Sequence, residues 1–209
     1  MELRSPCGSL HFVHDDLAGY LLMYTVDGAL LGGLRYAFLY ESRKYSRVLN
    51  ALSSVRGCGY GTALYTTALA LLSQHDTTLS PDADSVLGSA AHIWAQFWCS
   101  PLIKARPLPI AYQEDNYNLL SAKELRVSNP DIPERLLNKI ISGDPQRLRE
   151  FIYQKELNPH PYNFGYQMLA KDADAFLLDV SIELNTVTIE DIYEFENLWK
   201  RHYIASAKA

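Results

Sequence analysis

The string Arg56-Gly-Cys-Gly-Tyr-Gly61 is where residue type and spacing in this chain most directly imply chemistry. Glycines at alternate positions let the backbone turn sharply and take Cβ atoms out of a ligand's path. A helical pattern follows over Thr62–Ser73, with Leu64, Ala68, Leu71 and Leu72 on one face. Loop amides and the free N–H groups of a helix start then converge on one point, which suits an anion, and two linked phosphates above all. Three loops of this kind have distinct spacings. A Walker loop needs Lys after its last glycine, and none is present. A dinucleotide loop needs GxGxxG and an acidic residue ending the next strand; here the spacing is GxGxG and Asp76 falls in a loop. The third pattern, [Q/R]xxGx[G/A], is met by Arg56-x-x-Gly59-x-Gly61.

Other candidates each have a structural alternative. His11-x-x-His14-Asp15-Asp16 has the residue types of a metal site but no partner cluster elsewhere, so no metal is expected. Cys58 reads as a small loop residue rather than a nucleophile, and Trp94 and Trp98 as core. His160, in the aromatic string NPHPYNFGY, reads as part of a packed loop.

The elements that must position the glycine loop can be read on either side of it. Residues 19–26 (GYLLMYTV) form an apolar, strand-like run, Asp27-Gly28 is a strong hairpin signal, and residues 29–41 read as the return strand. Gly32-Gly33 inside that strand predicts a bulge or a close backbone approach. Residues 45–52 form another strand leading into the loop. Beyond the 62–73 helix come a short strand piece at Thr77–Leu79, a Pro81–Asp84 loop with capping chemistry, and a helix over Ser85–Trp98. Residues 112–157 read as helical and charged, 158–166 as a loop, 174–184 as a strand, and 188–203 as an amphipathic helix capped by Thr188. The division expected is a core over 1–110 and a mostly helical extension with one strand over 111–209, packed on it.

The bulk numbers narrow the classes. A net charge of −5 gives no basic face for blanket phosphate contact. Three scattered cysteines read as reduced thiols, and neither a leader pattern nor a membrane-length apolar run is present, so a cytoplasmic protein without membrane contact is expected. Fourteen tyrosines permit self-association, such as a homodimer.

Arg56-x-x-Gly59-x-Gly61 resembles the pyrophosphate-gripping motif of the GNAT N-acetyltransferases. VDGALLGGL resembles the hairpin between two central strands of that fold. TLSPDADSV and the helix holding Ala90 and Trp94 resemble the strand and helix that splay to admit the pantetheine arm. The string SPDADSVLGSAAHIW is also similar to uncharacterised GNAT-like proteins of bacteriophages. The resemblance covers about residues 19–100 and implies an α/β (α+β) fold with a mixed central sheet flanked by helices.

It also implies acetyl-CoA or another acyl-CoA as cosubstrate and transfer to an amine of an unknown acceptor, with a macromolecule such as a protein or modified nucleic acid among the candidates. The implied cofactor contacts are Leu49, Ala51, Val55, Arg56, Gly57, Cys58, Gly59, Tyr60, Gly61, Thr62 and Ser89. Glu41 is the implied base, and Ser85, Ser89 and Tyr60 are the groups that could meet the departing thiolate. Arg43, Lys44 and Arg47 could meet the CoA 3′-phosphate or a polyanionic acceptor. Two departures stand out. The region before residue 19 has room for one helix where the family carries two, and Trp94 occupies the place of a thiolate-protonating tyrosine. The alternatives are a catalytically degenerate module that binds a protein partner or serves structurally, and a nucleobase-modifying enzyme on the same fold.

Overall fold

A computed structural model describes residues 10–39, 43–55, 57–82, 88–108, 164–184 and 186–207. Four strands come first: β1 (Leu10–Asp15), β2 (Tyr20–Thr25), β3 (Leu30–Phe38) and β4 (Tyr45–Ser53). Then follow α1 (Tyr60–Gln74), β5 (Thr78–Ser80), α2 (Gly88–Cys99), β6 (Ile103–Pro107), β7 (Phe164–Met168), α3 (Ala170–Leu178), β8 (Ser181–Leu184) and α4 (Ile189–Ala207). The eight strands among the described residues join one mixed sheet in the order β6-β7-β5-β4-β3-β2-β1-β8. The class is therefore mixed α and β.

β1 to β4 form an antiparallel meander, and α1 carries the chain across to β5, which runs parallel to β4. The run YLLMYT is apolar at successive positions because both faces of β2 are covered. Leu21 and Met23 face the main core with α1, while Tyr20, Leu22 and Tyr24 face Phe195 of α4. Asp27-Gly28 does turn the β2–β3 hairpin, with Gly28 at φ 82. Gly32-Gly33 marks both features expected of it. Leu31 is skipped in the β2–β3 register, and a Cβ on Gly33 would lie 2.8 Å from the Phe195 ring. Glycine thus lets α4 lie flat on the sheet.

Three segments differ from the sequence reading. Residues 174–184 are not one strand, because Ala173, Phe176, Leu177 and Val180 recur at helical spacing against the core and only Ser181–Leu184 extends. Residues 164–166 of the expected loop open β7, an interior strand buried throughout; Gly165 is needed there because a Cβ would come within 2.3 Å of Thr78 Oγ1. The N-terminal region forms β1, at Leu10–Asp15. β7 and β8 both belong to the sheet, on opposite flanks of the meander. The expected helices over 112–157 lie outside the described residues. Thr188 does cap α4: its Oγ1 accepts from Asp191 N–H (3.2 Å), and Asp191 Oδ2 accepts from Thr188 N–H (2.8 Å), a reciprocal capping box.

Candidate functional site

The glycine loop leaves the C-terminal end of β4 and runs directly into α1. Gly57 and Gly59 both sit at positive φ, 80° and 76°, a conformation costing other residues about 1–2 kcal/mol. Gly59 is the N-cap of α1 and, having no side chain, supplies no cap to the first turn. Its carbonyl accepts from Ala63 N–H at 2.9 Å, which starts the helix. The N–H groups of Tyr60, Gly61 and Thr62 precede that first helical bond and are left without helical partners. No acidic side chain lies in the first turn. Gly57 and Gly59 are exposed, and Cys58, Tyr60, Gly61 and Thr62 are half-buried. The result is a partly positive, uncapped helix end at the carboxyl edge of a parallel strand pair, where ligands of open α/β sheets bind.

Along β4, towards its start, the strand is irregular. Arg35 pairs with Asn50 and Tyr36 with Val48, so Leu49 is an extra residue, a β-bulge. A bulge bends its strand, leaves one residue out of the ladder and often lies beside an active site. Leu49 is 36% exposed despite its central strand. On the other side of β4, pairing with β5 covers only Tyr45–Arg47 against Thr78–Ser80. From Val48 onward, that edge of β4 meets no strand among the described residues. The bulge and the end of the β4–β5 pairing thus coincide on the stretch of β4 that leads to the glycine loop.

α1 and α2 roof this part of the sheet. Their seam is aromatic: Tyr65 of α1 packs edge-on to Trp94 of α2 (5.3 Å), and Trp94 packs on Phe97 and Tyr166. Trp94 is 1% exposed, a core residue, as its composition suggests. Ile93 stands 3.7 Å from where a Gly61 Cβ would be, so α2 closes against the first turn of α1. Burial pushes the Tyr65 hydroxyl well above the usual tyrosine range.

The structure brings together Leu49, Ala51, Val55, Gly57, Cys58, Gly59, Tyr60, Gly61 and Thr62 along β4, its exit and the start of α1. Ala51 and Tyr60 pack against the main core, and the Val55 carbonyl accepts from Ser53 Oγ (2.8 Å). Glu41, Arg56 and Ser85 lie outside the described residues; Ser89 is in the first turn of α2. Arg43 and Lys44 precede β4 and so stand at the far end from the loop, about 26 Å away at ~3.3 Å per residue. Arg43 donates to Asp16 Oδ2 (2.9 Å) and lies over the Phe38 ring, and Arg47 pairs with Asp82 (3.7 Å). That end of the sheet is poorly placed for a phosphate held at the loop. Asp76 is engaged by Gln167 and Arg106, which hold its carboxyl below the usual range, and has no part in the loop.

His11 and His14 point to opposite faces of β1. His11 meets Ser181 and Glu183 of β8. His14 Nε2 is 2.9 Å from the Tyr36 hydroxyl, which donates to Asp16 Oδ1 (3.3 Å). Burial holds the His14 imidazole below its usual 6.5, although Asp16 and Asp15 pull the other way. Burial, with Asp16 and Asp15 adding to it, pushes the Tyr36 hydroxyl far up. No group of three or more potential metal ligands occurs among the described residues.

One feature escaped the sequence reading: the bulge at Leu49 has no local signature, because any residue can occupy it. Comparison with family models, with curated proteins and with solved structures finds no match. No helix among the described residues is long and apolar enough to cross a membrane.

Proposed function

We propose that this chain is an acyl-CoA-dependent N-acyltransferase with a GNAT-like arrangement. The observation that carries this reading is a juxtaposition on one strand. β4 bears a bulge at Leu49 where it parts from β5, and at its end it feeds two left-handed glycines into an uncapped helix. An extended cosubstrate with a pyrophosphate at one end and an acyl group at the other suits that run of features. The amides from Gly57 to Thr62 would hold the pyrophosphate, largely through main chain. The edge of β4 from Val48, which meets no strand among the described residues, would take the pantetheine arm, as an extended ligand adds to a strand edge. An amide freed at the bulge would polarise the thioester carbonyl as charge develops on it. The acceptor would be an amine of a molecule approaching the bulge from solvent.

Acetyl-CoA calorimetry tests this, comparing wild type, Gly59→Glu and Gly28→Glu. Gly28 has the same left-handed φ with open space around it, so its variant controls for backbone strain. Micromolar binding in wild type and Gly28→Glu, weakened about 100-fold by Gly59→Glu (about 2.7 kcal/mol), supports the reading. Absence of binding by folded wild type removes it. The chain would then be a partner-binding module that has lost catalysis, a reading favoured by the buried, core-packed Trp94 where the resemblance implies an acid.

A further inference from the structure

The side of α4 turned away from the sheet carries a pattern that its seat on β2 does not use. Phe195, with Ile192 beside it, holds the helix down on Tyr20, Leu22 and Tyr24. Helical residues advance by about 100° each, and two rows run along the far side. Ile189, Tyr193 and Lys200 fall within about 40° of one another, and Glu190, Glu194 and Arg201 form a second row about 100° further round. All six are exposed, Ile189 at 69% and Tyr193 at 66%. Acids at the start of a helix and bases at its end suit the helix dipole. The dipole gives no reason for an isoleucine and a tyrosine to stand in solvent among them, on the side where a surface helix ordinarily keeps its polar residues.

We propose that this face of α4 is a docking surface for a second copy of the chain, the two helices lying antiparallel about a twofold axis. The order of charges fixes both the occupant and its direction, because the face complements itself when reversed. An axis crossing between Phe195 and Glu196 sets Glu190 opposite the partner's Arg201, with Glu194 about one turn away, and symmetry repeats the pair. In a parallel arrangement acids would face acids and bases would face bases along the whole length, a repulsion that disfavours it. A twofold axis of this kind brings like rows together. Tyr193 therefore meets the partner's Tyr193 near the axis, and Ile189 lies along the aliphatic stem of the partner's Lys200. The self-association that the tyrosine content permits thus acquires a surface and a symmetry. One helix pair covers less than the roughly 800 Å² per partner of a standard interface, so the dimer forms at micromolar concentrations or above.

Sedimentation velocity over about 5–500 µM protein tests this on wild type, on Glu190→Lys/Glu194→Lys, on Lys200→Glu/Arg201→Glu, and on an equal mixture of the two variants. Wild type should show a concentration-dependent monomer–dimer equilibrium. Each variant alone makes the face uniformly basic or uniformly acidic, and its self-association should weaken by about 10-fold or more, about 1.4 kcal/mol. The mixture should restore a dimer of wild-type size, because the basic face of one variant then meets the acidic face of the other. Restoration also shows that both variants fold, since two unfolded chains would not rebuild a specific dimer. Wild type that stays monomeric throughout, a variant that dimerises alone as well as wild type does (through another surface, such as the outer edge of β8), or a mixture that stays monomeric overturns the proposal. None of these outcomes bears on the acyltransferase reading, which stands or falls on acetyl-CoA binding.

Discussion

Gly33→Ala tests whether the face of the sheet opposite α1 is closed by α4 in the way described. The added Cβ would lie 2.7 Å from Leu22 Cδ2 and 2.8 and 2.9 Å from Phe195 Cδ2 and Cε2. Carbon atoms rest at about 3.5–4.0 Å, so each neighbour must retreat by up to about 1 Å. Leu22 can rotate, but the Phe195 ring is fixed on α4 and moves only with the helix. Overpacking of this kind costs about 1–3 kcal/mol; at about 2–4 °C per kcal/mol for a chain of this size, a mid-range cost lowers Tm by about 4–8 °C. Phe195→Leu alone should cost about 1–2 kcal/mol, less than a full truncation to alanine. Combined, the two should be less damaging than their sum by about 1 kcal/mol or more, because the smaller side chain vacates the space the methyl needs. Thermal and urea unfolding of the two single variants and the double variant measure this. A neutral Gly33→Ala, or strict additivity in the double variant, would refute the contact.

Two further outcomes follow from the same structure. The His14 pKa lies below its unfolded value of 6.5, so the stability it contributes is present above about pH 6.5 and lost as pH falls through the folded value; Tm measured from pH 7.5 to 5 should fall less steeply in His14→Gln than in wild type. Thr188→Ala removes the N-cap of α4 and should cost about 1 kcal/mol, seen as a Tm lower by about 2–4 °C, with acetyl-CoA affinity unaltered.

The parts of the fold legible in the sequence are those dictated by local backbone needs. Gly28, Gly32-Gly33 and the glycines of the loop declare positive φ or close approach wherever they occur, and Thr188 declares a helix start. Segments whose state is decided by distant partners were not legible in this way. Phe164–Met168 holds glycine and aromatics that suit a loop equally well until β5 and β6 enclose it. Asp174–Leu184 offered an alternation that its apolar spacing against α1 overrode. The candidate site divides along the same line. Its glycine loop follows from residue types alone. The bulge at Leu49 depends on register with β3.

The place of β7 between β5 and β6 has a consequence for how the chain is made. β6 is complete at Pro107, but the strand that joins it to the sheet begins at Phe164. At a synthesis rate of about 5–20 residues per second, the edge of β5 waits roughly 4–17 s and β6 roughly 3–11 s for their common partner. Over the same interval the Tyr20, Leu22 and Tyr24 face lacks α4. A nascent chain of this sequence therefore offers an open strand edge and an uncovered aromatic face together, the two features that invite intermolecular pairing. Ribosome-associated chaperones that shield such surfaces should influence its yield more than its final stability.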